Sequence, residues 1–155
     1  ERSLRQYEIN WKKQIEFETY SLALGGRVIF AGNIPSAEMP EYICLGSVCV
    51  NLSSRTSGYE PVMLEAMAQE KVIIGSEVSP ISTVVEDGKD GFLIRPADVG
   101  SLASLMLDIF TENLETAEIG QRARKKVLNL FDTDKMVRQT LEAYNQILNR
   151  TGYYL

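Results

Sequence analysis

Histidine is absent from the 155-residue sequence. The chain therefore cannot assemble a Ser-His or Cys-His nucleophilic pair or a His-ligated metal on its own. Cysteine is nearly as scarce. Cys44 and Cys49 have neither C-x-x-C spacing nor a metal-ligand partner set, and they read as buried free thiols of a reducing compartment. There is no GxGxxG and no P-loop, which excludes a dinucleotide fingerprint and a Walker site. The longest apolar stretch, 42–52, is interrupted by Gly46, Ser47 and Asn51 and is too short to span a bilayer. Basic runs are missing too: Lys and Arg number 16 against 21 Asp and Glu, for a net charge of −5. Such a balance excludes nucleic acid as an expected partner and makes membrane contact through this chain unexpected. The opening residues, ERSLRQYE, are charged and unlike a signal peptide, so a cytoplasmic location is expected.

What is present is ordinary for a globular domain: 45% apolar and 24% charged residues, enough for one sizeable core. An amphipathic stripe of Leu4, Tyr7, Trp11, Ile15 and Leu22 predicts a helix from Leu4 to Leu24, stopped by Gly25-Gly26. Four short apolar runs predict strands: Arg27–Ala31, Ser47–Asn51, Lys71–Ile74 and Phe92–Ile94. Helices are expected between them at Glu38–Leu45, Pro61–Gln69 and Ile81–Glu86. Three more follow at Val99–Phe110, with Asp98 as N-cap, Glu115–Asn129 and Thr133–Leu148. The last of these carries an apolar stripe of Val137, Leu141, Tyr144 and Leu148, expected to lie mostly in the core.

Strand–helix alternation with near-continuous apolar strands predicts an α/β fold, a doubly wound parallel sheet with helices on both faces and a helical C-terminus. Residues 1–155 read as a single domain. Because the chain opens on a helix, it reads as a fragment of a larger one.

Ligands of such sheets bind beyond the carboxyl ends of the strands. Three segments are expected there: Gly32–Ser36, Leu52–Glu60 and Gly75–Pro80. The middle one is a small-residue loop running into a helix that opens at Pro61, a natural phosphate seat. Ser54 and Ser57 fit ordinary turns as well. Glu65, one turn into that helix, can accept two hydrogen bonds from a vicinal diol such as a ribose. It is equally a favourable charge near a helix N-terminus.

Several runs go beyond pattern. Glu60-Pro-Val-Met-Leu-Glu65-Ala-Met-Ala68 is followed by Val72-Ile-Ile-Gly-Ser76. Val84-Val-Glu-Asp-Gly88, Gly91-Phe-Leu-Ile94, Pro96 and Asp98 come next. Val28-Ile-Phe-Ala-Gly32 lies upstream, and Gly120-Gln-Arg-Ala-Arg124, Phe131 and Tyr144 lie downstream. From Val28 to Tyr144 the chain resembles the C-terminal domain of GT-B glycosyltransferases of the retaining group 1 family, family 4 type, which is Rossmann-like.

The resemblance implies the donor-binding half of a two-domain enzyme that transfers a sugar, with retention, from a nucleotide-diphosphate sugar to an acceptor hydroxyl of a polysaccharide, glycan or lipid. The nucleotide sugar is then substrate, and neither cofactor nor metal is implied. An N-terminal acceptor domain is the implied partner, and this chain alone is expected to be inactive. Glu65 would hold the donor ribose. The backbone around Gly32, Asn33 and Ile34 would lie near the base. The family's acidic donor-sugar position is occupied here by Ser57, followed by Gly58 and Tyr59, with Glu60 as the candidate replacement carboxylate. The basic residues that neutralise the diphosphate in this family fall upstream of this sequence, and Arg55 reads as a solvent-exposed residue. Two alternatives stand beside this reading. One is a non-catalytic nucleotide-binding or regulatory domain of the same fold. The other is a receiver-type domain, disfavoured because Asn51 holds the strand end where a phospho-accepting Asp belongs.

Overall fold

Among the described residues the chain forms ten elements. They are α1 (Arg2–Ser21), α2 (Met39–Leu45), β1 (Val48–Asn51), α3 (Pro61–Ala68), β2 (Val72–Ser76), α4 (Ile81–Val84), β3 (Phe92–Ile94), α5 (Val99–Phe110), α6 (Ala117–Leu130) and α7 (Thr133–Thr151). A computed structural model describes residues 2–54, 60–112 and 114–151. The chain forms two compact units, Glu1–Pro35 and Ser36–Leu155.

The first unit is built on α1. This helix ends at Ser21, earlier than the glycine pair, because Ala23 takes a left-handed backbone (φ 55°). The Leu24 N–H then closes on the Thr19 carbonyl and the Ala23 N–H on the Tyr20 carbonyl, a Schellman closure. The strand expected at Arg27–Ala31 does not form. Ile29 is 87% exposed, and this unit contains no strand to take up the backbone groups of the run. An apolar run becomes a strand only when a neighbouring ladder satisfies its N–H and C=O groups.

In the second unit the three strands lie in the order β1-β2-β3, all parallel. Val48 stands opposite Val72, and Ile74 opposite Phe92. All five residues of β2 are buried. Successive strand side chains point to opposite faces, so both faces of the central strand are covered, as the α/β reading requires. The main core joins Met63, Ala66 and Met67 of α3 to Ile73, to Ile81 and Val84 beside Val85, and to Ala123 and Val127 of α6. Gly75 admits α4 against the sheet: a Cβ there would stand 2.6 Å from the Ile81 Cγ2.

A polar staple joins the turn before β3 to α6. Asp90, 3% exposed, accepts the Glu86 N–H at 2.8 Å and pairs with the Lys126 ammonium. Asp87 accepts the Leu93 N–H at 2.9 Å. Asp98 caps α5 as expected. It accepts the Ser101 N–H at 2.9 Å and the Ser101 hydroxyl at 2.8 Å. These bonds hold its carboxyl below the usual aspartate range.

Two other expectations change. The α7 stripe is exposed rather than buried, with Leu141 at 56% and Tyr144 at 61%. The periodicity marks an apolar face without specifying that anything packs on it. Cys44 is exposed, and only Cys49 is half-buried, where desolvation pushes its thiol pKa up.

Replacing Asp90 with Ala leaves the Lys126 ammonium and the Glu86 N–H without their acceptor. Stability should fall by about 3 kcal/mol, read as a lower urea midpoint at unchanged slope. Asp98 generates a pH-dependent prediction. Its folded pKa lies below its ordinary value of 3.8, so the unfolded chain takes up the proton first as pH falls. The cap's contribution is complete above the ordinary value and is lost as pH drops through the folded one. Asp98→Ala should be less stable than wild type at pH 7, and thermal melts should show the difference closing below about pH 4.

Candidate functional site

The strands end at Asn51, Ser76 and Ile94, and Leu52, Ser76 and the segment after β3 border a small cavity of about 50 Å³. Leu52, Ser76, Ile94, Pro96, Val99 and Leu102 line most of it. At the end of β1 the Asn51 side chain turns back, its Oδ1 accepting the Ser53 N–H at 3.1 Å. An asparagine held in this local turn terminates the strand. Ser57, Gly58 and Tyr59 lie outside the described residues, as does Arg55.

The chain is described again at Glu60, which is half-buried and extended (φ −79°, ψ 116°) at the N-cap of α3. Its carbonyl accepts the Met63 N–H at 3.0 Å, while its carboxylate makes no capping bond. Pro61 fills the first helical position, where a missing N–H costs nothing. The parallel pairing of β1 and β2 makes α3 run back against the strands, so its amide end belongs to their carboxyl ends. Met63, Ala66 and Met67 face the core. Glu65 is on the opposite, exposed side, on one stripe with Pro61 four residues earlier. Helical side chains lean toward the N-terminus, so position 65 is on the helix face nearest the amide end.

Gly32 and Ile34 are not held at a strand end, because the strand expected before them is not formed. Gly32 is exposed with a left-handed backbone (φ 72°), and Ile34 is half-buried. Both belong to the first unit. Conversely, the segment 95–98 after β3 was not among the segments expected at the strand ends, yet it borders the cavity. The signal was available: it follows an apolar strand run in the same way as the other two segments.

Arg95 is the one cation on the described segments that follow the strands, 4.0 Å from Glu77 and largely exposed. Among the described residues no three Cys, Asp or Glu side chains converge as a metal site would need. No described helix is long and apolar enough to cross a membrane.

Residues 9–112 match the family model described as glycosyl transferases group 1. Among curated proteins, N-acetyl-alpha-D-glucosaminyl L-malate synthase of Bacillus anthracis is 28% identical over 128 residues, 83% of this chain and 33% of its own length. Among solved structures, HepE of Anabaena in complex with UDP and glucose superposes with a TM-score of 0.82 at 23% identity. That match covers 90% of this chain and 37% of HepE. Sucrose-phosphate synthase from Thermosynechococcus elongatus superposes with a TM-score of 0.75 at 28% identity, over 91% of this chain and 35% of that one. The chain thus spans about a third of the length of these relatives. With two thirds of its residues inside the family model and the GT-B fold of these neighbours, the chain belongs to the group 1 glycosyltransferases.

Proposed function

We propose that this chain is the donor-binding part of a retaining glycosyltransferase, which moves a sugar from a nucleotide-diphosphate sugar to an acceptor hydroxyl of a polysaccharide, glycan or lipid. One observation carries the reading: in a group 1 chain, an exposed glutamate stands one turn into the helix that opens at the strand ends. Glu65 accepts hydrogen bonds from the two ribose hydroxyls, and the amide end of α3 faces the diphosphate. Glu60 and the loop carrying Ser57, Gly58 and Tyr59 stand toward the donor sugar. Gly32 and Ile34 offer backbone groups to the base. The Bacillus anthracis relative is named for an α-linked product, which fits retention from an α-linked donor.

Chemically, the bond from the anomeric carbon to the diphosphate breaks as the acceptor oxygen attaches on the same face, and the acceptor's hydroxyl proton passes to the leaving diphosphate. The charge that develops on the leaving diphosphate is the quantity to be stabilised, and preorganised amide dipoles do so without reorganisation. The acceptor is held by a further domain of the polypeptide, so this chain alone is inactive. The reaction takes place on the cytoplasmic side, with the nucleotide sugar as substrate and without a resident cofactor. Ser57 in the place of a carboxylate favours a second reading, a nucleotide-binding module without transfer activity. The two differ in whether the intact protein consumes a nucleotide sugar.

Calorimetric titration with UDP, GDP and ADP tests the site. At least one should bind, and Glu65→Ala should weaken it about tenfold, the worth of a charge-assisted hydrogen-bond pair. Binding of none, or equal binding by the variant, overturns the ribose assignment.

A further inference from the structure

We propose that Arg124 is a positioning residue for the nucleotide site: it holds the far end of α3 and thereby fixes where Glu65 stands. The inference rests on the ribose assignment above. The helix is only eight residues long, about 12 Å, and the Glu60 side chain does not cap its N-terminus. Its placement must come from its buried face and its C-terminal end.

That end is closed in two layers. Within the chain, Glu70 adopts a left-handed backbone (φ 59°). The Lys71 N–H reaches the Ala66 carbonyl at 3.0 Å and the Glu70 N–H the Met67 carbonyl at 3.1 Å. This Schellman closure leaves the Ala68 carbonyl for a tertiary donor. The Arg124 Nη1 donates to it, and the Arg124 Nε lies 3.7 Å from the Glu70 carboxylate.

One turn earlier on α6, Gly120 meets the same corner. A Cβ there would fall 2.2 Å from the Glu70 carbonyl oxygen, so only glycine lets the two backbones touch. Between these contacts Ala123 is buried in the cluster that holds Met63, Ala66 and Met67. The run Gly120-Gln-Arg-Ala-Arg124 is therefore a brace on the end of α3. Its glycine sets the approach, its alanine seats the buried face, and its arginine pins the last carbonyl.

Without the guanidinium, that carbonyl loses its donor and α3 can rock on its two buried methionines. Glu65 sits three residues before Ala68 and moves with it. The loss should be confined to the interaction Glu65 makes.

The experiment compares the tightest-binding of UDP, GDP and ADP with its 2′,3′-dideoxy counterpart, by calorimetry on the full chain. Wild type should prefer the ribose form about tenfold, and Glu65→Gln should abolish most of that preference. Arg124→Ala should cut the preference at least threefold while leaving dideoxy affinity within twofold. Arg124→Lys, whose ammonium reaches the same carbonyl, should restore part of it. Glu70→Gln should keep it, since the bond to Ala68 is untouched. If Arg124→Ala does not fold, Arg124→Lys against Glu70→Gln carries the comparison. A wild-type preference in the Arg124 variants, with loss in Glu65→Gln, overturns the positioning role alone. An unchanged preference in Glu65→Gln overturns the ribose reading and the brace with it. An equal loss for both ligands in Arg124→Ala marks a merely structural role.

Discussion

A short helix has two ends that water or protein must satisfy, and in α3 the two ends are treated in opposite ways. At the C-terminal end the carbonyls are closed by the local turn and by Arg124. At the N-terminal end stand a proline and an extended Glu60, and among the described residues no side chain caps the amide donors. A helix with sealed carbonyls and open amides presents net positive potential at the mouth of the sheet. The location of the candidate site depends on that asymmetry more than on the shape of the cavity, which is small and mostly apolar.

The same economy recurs across the second unit. The Lys71 ammonium donates to the Cys44 carbonyl near the end of α2 at 2.9 Å, and the Lys135 ammonium to the Asn129 carbonyl near the end of α6 at 2.9 Å. Together with Arg124, three basic side chains serve three helix C-termini, where cations oppose the dipole favourably. A chain of net charge −5 thus places several of its cations on backbone carbonyls. Glu70 shows the reverse substitution. A left-handed C′ position is usually glycine, and a residue with a Cβ there carries backbone strain. Its carboxylate lies near Arg124, so the residue that strains the turn also helps to attract the group that closes it.

Elements whose signals are local were legible in the sequence. The strands Val72–Ser76 and Phe92–Ile94 are apolar runs bounded by turn residues, and Asp98 caps α5 where a side-chain acceptor precedes an apolar period. Elements that depend on a partner were not. Arg27–Ala31 has the composition of a strand, but no strand in its unit to pair with. The α7 stripe has the period of a core helix and is exposed. The helix stop at Ala23 could not be foreseen, because a left-handed alanine has no sequence signature, whereas α3 ends at Ala68, within one residue of the expected Gln69. Of the site, the order Asn51, Glu60, Pro61, Glu65 was readable from spacing and resemblance. The segment 95–98 carried the same signal, an apolar strand run before it, and borders the cavity.

On the proposed reading, charge decides how much of donor binding this chain could supply. A helix amide end is worth about half an elementary charge, whereas a diphosphate carries more than one. Arg95 is exposed and already near Glu77, so the described segments at the strand ends offer little further neutralisation. On that reading, electrostatic binding would be limited by how closely one helix end approaches the phosphates. That is why the contacts that fix α3, remote from any ligand, bear on the chemistry. Met63 and Met67 set its depth in the core and Gly120 its distance from α6, while Arg124, at the opposite end, bears on where Glu65 stands.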